Sequence, residues 1–196
     1  VTFGENSQLE SIGSYAFYDC SSLTSITIPS SVTSIGSYAF YGCSSLTSIT
    51  IPSSVTSIGS RAFYGCSRLQ NVYYNGTMED WCKIEFGSSS SNPMYCAENF
   101  YMWNGSEYDL ITEIEIPETV TSIGAYQFSG FENLTSITIP SSVTSIGSRA
   151  FEDCSRLTTV TFGENSQLES IGSYAFYDCS SLTSITIPSS VTSIGS

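Results

Sequence analysis

Leu23, Leu46 and Leu69 are evenly spaced, and Leu134 and Leu157 repeat the same interval. Between them the text is nearly constant: "LTSITIPSSVTSIGSYAFYGCSS" over residues 23–45 returns with few changes along the chain. A fixed period of this length constrains the fold more than any composition does. Each copy is too small to bury its own apolar positions, so neighbouring copies must stack and share one continuous core. The step from Leu157 to Leu182 is slightly longer, because "FGENSQLESIG" exceeds "IPSSVTSIG" by two letters.

Within one copy the apolar positions are Leu23, Ile26, Ile28, Val32, Ile35, Ala39, Phe40 and Cys43. The first three read L-x-x-I-x-I, the strand-bearing pattern of a leucine-rich repeat. Ile26 and Ile28 alternate with Ser25 and Thr27, so one face of the strand is apolar and the other hydroxylated. Pro29 has no N–H and ends the ladder. "VTSIG" predicts a second short extended segment, and "SYAFYG" a helical or 3-10 turn. The residue before the repeat cysteine is Gly42, Gly65 or Gly130 in some copies and Asp19, Asp153 or Asp178 in others. Both types tolerate left-handed backbone, which predicts a left-handed residue closing the turn.

The motif L-x-x-I-x-I-P-x-x-V-x-x-I-x-x-x-A-F-x-x-C resembles the leucine-rich repeat of BspA-like surface proteins, the Treponema pallidum type. It covers 23–43, 46–66, 134–154 and 182 onward. A looser copy at 111–131 has Gln127 for Ala and Phe131 for Cys. Residues 1–20 and 157–179 match with the longer loop. The resemblance implies a leucine-rich repeat solenoid, with a parallel β-sheet on one face and short extended or helical turns on the other. It also implies a non-enzymatic, secreted or cell-surface protein of a bacterium or protist, binding a host or cell-surface protein or glycan. It supplies no fixed binding residues.

Residues 1–37 and 160–196 are identical. The expectation is that further repeats flank this segment or that copies self-associate head to tail, since open solenoid ends expose core and strand edges. The alternative functional reading is therefore a segment of an extracellular filament or wall layer.

The period fails between Leu69 and Ile111. The expected layout is repeats over 1–74, an aromatic, β-rich island over 75–110 and repeats over 111–196, forming one solenoid. The island reads as one rung carrying an insertion nearly as long as a repeat. "VYY" continues a strand, "TMEDWCKIEF" starts a short helix capped by Thr77, and "GSSSSNP" is a loop. "NFYMWNGSEYDL" is a hairpin turning at Asn104 and Gly105. A similar W…F…SNP…A module is common in the resembled family. These rings form either a local core or, at Tyr73, Tyr101, Trp103 and Tyr108, part of an exposed protein- or sugar-binding surface.

Candidate chemistry elsewhere is sparse. The outward strand pairs run Ser25/Thr27, Ser48/Thr50, Asn71/Tyr73, Glu113/Glu115, Ser136/Thr138, Thr159/Thr161 and Ser184/Thr186. Asn71, Tyr73, Glu113 and Glu115 interrupt the hydroxyl text and join the candidate binding residues. Two carboxylates at i and i+2 on a strand lie roughly 6.6 Å apart, near a spacing used by glycosidases. Nothing visible separates their pKa values, so solvated acidic surface is the plainer expectation. Asp109, Glu113, Glu115 and Glu118 have the chemistry of calcium ligands, but no EF-hand or repeated acidic motif supports a site, and no metal or cofactor is expected.

The chain of 196 residues has no His, which excludes Ser-His-Asp and Cys-His catalysis. It carries five basic and eighteen acidic residues, a net charge of −13 that disfavours nucleic acid and anionic membrane surfaces. No apolar run is long enough to span a bilayer. Cys20, Cys43, Cys66, Cys154 and Cys179 share one repeat position that Phe131 fills elsewhere, so the slot is apolar and its thiols are expected free. Cys82 and Cys96 are a candidate disulfide in a secreted protein. Asn75, Asn104 and Asn133 head N-x-[ST] sequons, relevant only in a secreting eukaryote.

Overall fold

A computed structural model describes residues 1–4 and 6–196. Each repeat forms one rung of a parallel β-solenoid, and rungs join along three seams. On the first, strands Ser25–Thr27, Ser48–Pro52, Asn71–Asn75 and Asn99–Trp103 pair in parallel, and Tyr108–Leu110 closes the sheet antiparallel. Beyond the island a second sheet takes up the same face with Glu113–Glu115, Ser136–Ile139 and Thr159–Phe162. The register is set by the repeat: Ile26, Ile49 and Val72 lie side by side, facing the core.

The second seam is built from two-residue strands. Ser11–Ile12, Ser34–Ile35, Ser57–Ile58 and Glu85–Phe86 form one ladder. Ser122–Ile123, Ser145–Ile146, Ser170–Ile171 and Ser193–Ile194 form another. Pro29 ends its strand as expected, and the Val32 N–H returns to the Pro29 carbonyl at 3.0 Å to turn the corner.

The third seam is the turn segment, and here the structure departs from the expected helical turn. The N–H groups alternate. Tyr15, Phe17 and Asp19 donate to Ser37, Ala39 and Tyr41 of the next rung, while Ala16, Tyr18 and Cys20 donate three residues back within the turn. Alternation of this kind excludes a helix, whose N–H groups all point one way. Left-handed residues produce it. Asp19, Gly42, Gly65, Gly130, Asp153 and Asp178 have φ of 54–79°, as their residue types predict. Tyr15, Tyr38, Arg61, Tyr126, Arg149 and Tyr174 are also left-handed, at 57–62°. Nothing in a Tyr or Arg announces that conformation; the seam imposes it.

Aromatic rings repeat with the rungs. Phe17, Phe40 and Phe63 stack at 5.2 and 5.4 Å, and Phe128, Phe151 and Phe176 at 5.4 and 5.1 Å. All seven cysteines are free thiols. In the repeat slot each thiol after Cys20 donates to the Phe carbonyl of the rung before, as in Cys43 to Phe17 and Cys66 to Phe40. Cys20, in the first rung, is exposed rather than stacked in the core.

The island differs from an insertion looping off one rung. Residues 69–96 complete a wide rung of their own. Glu85 and Phe86 take the short-strand position, the Phe63 N–H donates to the Ser90 carbonyl on the turn seam, and Ala97 takes the leucine position. The helix Met78–Cys82 begins at Thr77, whose hydroxyl accepts from the Asp80 N–H at 3.1 Å while Asp80 accepts from the Thr77 N–H. The predicted loop is two 3-10 turns, Ser89–Ser91 and Pro93–Tyr95. The anticipated Cys82–Cys96 bridge is not formed. Cys96 instead occupies the repeat cysteine slot, its thiol donating to Phe63 O at 3.4 Å.

Candidate functional site

Both strand sheets stop at the island, and side chains bridge the gap. Trp81, fully buried, donates from Nε1 to the Gln127 carbonyl at 3.0 Å. Gln127 returns a bond from Nε2 to the Trp81 carbonyl, and Asn92 Nδ2 donates to the Tyr126 and Gln127 carbonyls. These amides do the work that backbone pairing does between ordinary rungs. The departures Gln127 and Phe131 from the repeat text are thereby explained. Phe131 fills the space beside Trp81 and Phe100, with ring centroids at 5.9 and 4.9 Å.

The island's rings divide by the alternation of its strands. Tyr74, Trp81, Phe86 and Phe100 point inward and form the local core. Tyr73, Tyr101, Tyr108 and Trp103 lie on the opposite, outward side. Strand pairing sets Tyr73 against Tyr101, stacked at 5.0 Å. The hairpin, turning through Gly105 at φ 104°, folds Tyr108 edge-on against Tyr73 at 4.9 Å. Trp103 packs edge-on against Tyr108 at 5.1 Å and remains 45% exposed. The Tyr108 hydroxyl donates to Asn75 Oδ1, tying the hairpin to the strand before it.

Asn71 borders this group. Its Oδ1 accepts from Asn99 Nδ2 at 3.1 Å, Asn99 Oδ1 accepts from Asn133 Nδ2 at 3.0 Å, and Asn133 Oδ1 accepts from Arg156 at 3.0 Å. This row of amides crosses the break on the first seam. Glu113 and Glu115 are exposed on the next sheet, beside Ser136 and Thr138, and stand apart from the aromatic group. Asn75 and Asn104 are exposed, whereas Asn133 is half-buried with its amide engaged. No group of three or more Cys, Asp or Glu among the described residues is placed to hold a metal.

The arrangement offers rigid apolar area, ring edges and phenolic hydroxyls.

A second aromatic set escaped sequence reading. Tyr18, Tyr41, Tyr64 and Tyr95 stack along the turn seam at 4.9, 5.3 and 6.3 Å, and Tyr15 stacks on Tyr38 at 5.0 Å. Its signal is present in the even spacing of Tyr18, Tyr41 and Tyr64, which keeps step with the leucines.

A family model described as the BspA type leucine rich repeat region matches residues 2–100 and 104–196, in six copies. Among solved structures, a leucine-rich repeat protein from Bacteroides ovatus is similar at 29% identity and a TM-score of 0.59. That match covers 100% of this chain and 51% of the other, so the chain spans about half its length. The pneumococcal vaccine antigen PcpA is similar in fold, at 19% identity and a TM-score of 0.51, over 88% of this chain and 58% of its own. A leucine rich cell surface protein from Faecalibacterium prausnitzii matches at 24% identity and a TM-score of 0.44, over 99% of this chain and 75% of its own. No curated protein matches the chain.

Proposed function

The chain belongs to the BspA-type leucine-rich repeat family, and on that premise we propose that it is a non-enzymatic binding module acting outside the cell. Its partner is a host or cell-surface protein, engaged by Tyr73, Tyr101, Trp103 and Tyr108 with Asn71 at the edge. The convergence of those four rings on the outward face carries the reading. It lies where the Ser/Thr text of the strands is interrupted, and aromatic side chains give large contact area at low entropic cost. No helix among the described residues is long and apolar enough to cross a membrane. Four of the thiols are buried, which suits an oxidising environment.

The test is adhesion to immobilised extracellular-matrix and epithelial surface proteins, with a glycan array in parallel. Wild type is expected to bind protein, and Tyr101→Ala with Trp103→Ala to lose at least tenfold in affinity at unchanged melting temperature. Undiminished binding by the double variant moves the site elsewhere, and failure to bind any of these surfaces sinks the reading.

A further inference from the structure

The repeat text specifies three seams between neighbouring rungs, and at the junction after residue 181 the first of them is missing. Between residues 157–181 and residues 182–196 the short strands pair, Ser170–Ile171 with Ser193–Ile194, and the turn seam holds through Tyr174 N–H to the Ser196 carbonyl. The first seam is open. Elsewhere along it, Thr47, Thr135 and Thr158 donate from N–H and hydroxyl to Thr24, Thr112 and Thr135 carbonyls. Thr183, at the same position, makes no such bond to Thr158, both being described residues. Ile28 and Ile116 donate to the Thr50 and Thr138 carbonyls, but Phe162, their counterpart, does not donate to Thr186. Among the described strands, Thr159–Phe162 is thus paired on one edge only, with Ser136–Ile139.

The cause lies in the perimeter. The rung that opens at Leu157 is two residues longer than the one before it, and the rung after it returns to the ordinary repeat text. The longer corner turns through Asn165 at φ 57°, and its Gln167 N–H bonds back to Ser141 of the preceding rung. The mismatch is absorbed towards the preceding rung and left open towards the following one. Val160, Phe162, Ile185 and Ile187 are only half-buried here, where Ile137 and Ile139 in the preceding rung are 1% and 0% exposed. The opening measures about 530 Å³, between Val160, Thr161 and Phe162 on one wall and Thr186 and Pro188 on the other. The identical text at the other end opens the same way: residues 1–3 do not pair with Ser25–Thr27, leaving about 470 Å³.

We propose that this cleft is a β-strand acceptor, taking an extended, uncharged segment of a partner protein in which aliphatic residues alternate with small hydroxylated ones. Backbone recognition follows from the free edge of Thr159–Phe162, which presents N–H and C=O groups at strand spacing. The alternation follows from the walls, apolar towards the core and Ser/Thr outward. The lack of charged groups on the named walls sets the neutrality. A second copy is the poorer source, because the interior strands of the repeat are paired on both edges within their own solenoid and only its terminal stretches are open; their binding is the concentration-dependent outcome of the test.

The probe is the blocked hexapeptide Thr-Ser-Ile-Thr-Ile-Pro, added to the intact chain and followed by amide hydrogen exchange. Exchange at Val160 and Phe162 is expected to slow at least tenfold, with Ile137 unchanged. The same peptide N-methylated at both isoleucines should give no protection. A variant lacking Asn165 and Ser166 restores the ordinary rung length and should lose the peptide's effect; if it misfolds, the N-methyl comparison on wild type decides alone. Absent protection, equal protection by the N-methylated peptide, or protection that grows with protein concentration and no peptide each overturn the proposal.

Discussion

Trp81 and Gln127 hold each other across the interruption of the solenoid, each side chain donating to the other's backbone carbonyl, at 3.0 and 2.5 Å. Every other full copy of the repeat has Ala at the position of Gln127. Restoring the repeat text with Gln127→Ala is therefore expected to destabilise the protein. It removes the side-chain bond to the Trp81 carbonyl, which then keeps the Ile84 N–H at 3.1 Å, and leaves a cavity, at a cost of about 1–3 kcal/mol. Urea unfolding checks this, and an unchanged midpoint would contradict the bridging role.

Gly65 and Gly130 share φ of 79° and differ in what surrounds them. A Cβ on Gly65 meets its nearest atom at 3.4 Å, whereas one on Gly130 would overlap the Met94 carbonyl oxygen. Gly65→Ala is expected to cost about 1–2 kcal/mol, the left-handed penalty alone. Gly130→Ala should cost clearly more, because rigid backbone of the island must move. Thermal melts of the two variants side by side measure the difference.

Arg61 is exposed and left-handed, at φ 57°. Arg61→Gly removes that strain and loses two weak contacts to Tyr38, the guanidinium 5.9 Å from its ring and a long hydrogen bond of 3.4 Å donated to its hydroxyl. The variant should melt no lower than wild type, since the roughly 1–2 kcal/mol relieved exceeds the roughly 0.5–1 kcal/mol of glycine's extra unfolded-state entropy. A fall of several degrees would show that the Tyr38 contacts matter more than the backbone.

Burial pushes the Cys43 thiol up to about 11, and Cys82 up to about 12. A raised folded value means that the native state keeps its proton where the unfolded chain releases it. The associated stability is complete below the ordinary thiol value of about 8.5 and is lost as pH rises through about 11. Melting temperature should fall across that window. At pH 8, a disulfide reagent should modify exposed Cys20 quickly and leave Cys43, Cys66 and Cys154 unreacted until the chain unfolds.

Much of this architecture was legible because the repeat states it many times. Ile26 and Ile28 alternate, Pro29 stops the strand, and Asp19 or Gly42 marks the left-handed turn by residue type. Local chemistry also made parts of the island readable: Thr77 as a cap and Asn104-Gly105 as a hairpin turn. What escaped depends on distant partners. Tyr15 and Arg61 are left-handed because alternate N–H groups must reach the next rung, which no single residue reveals. Cys96 reads as half of a disulfide because the wide rung of residues 69–96 breaks the period and hides its slot. The open seam beside Phe162 follows from a two-residue mismatch between adjacent perimeters, and only the stacked rungs express it.

The missing seam has a mechanical consequence. Tension along the solenoid axis is shared by the bonds joining adjacent rungs, and an interior junction such as 46–68 against 23–45 carries it on all three sides. The junction after residue 181 carries it on two, off-centre, so the same force also applies a torque that widens the gap. The molecule therefore has a built-in fuse. Under rising load it yields at its incompletely joined junctions, this one, its counterpart between residues 1–22 and 23–45, and the side-chain bridge at the island, while the rungs of residues 111–156 stay closed.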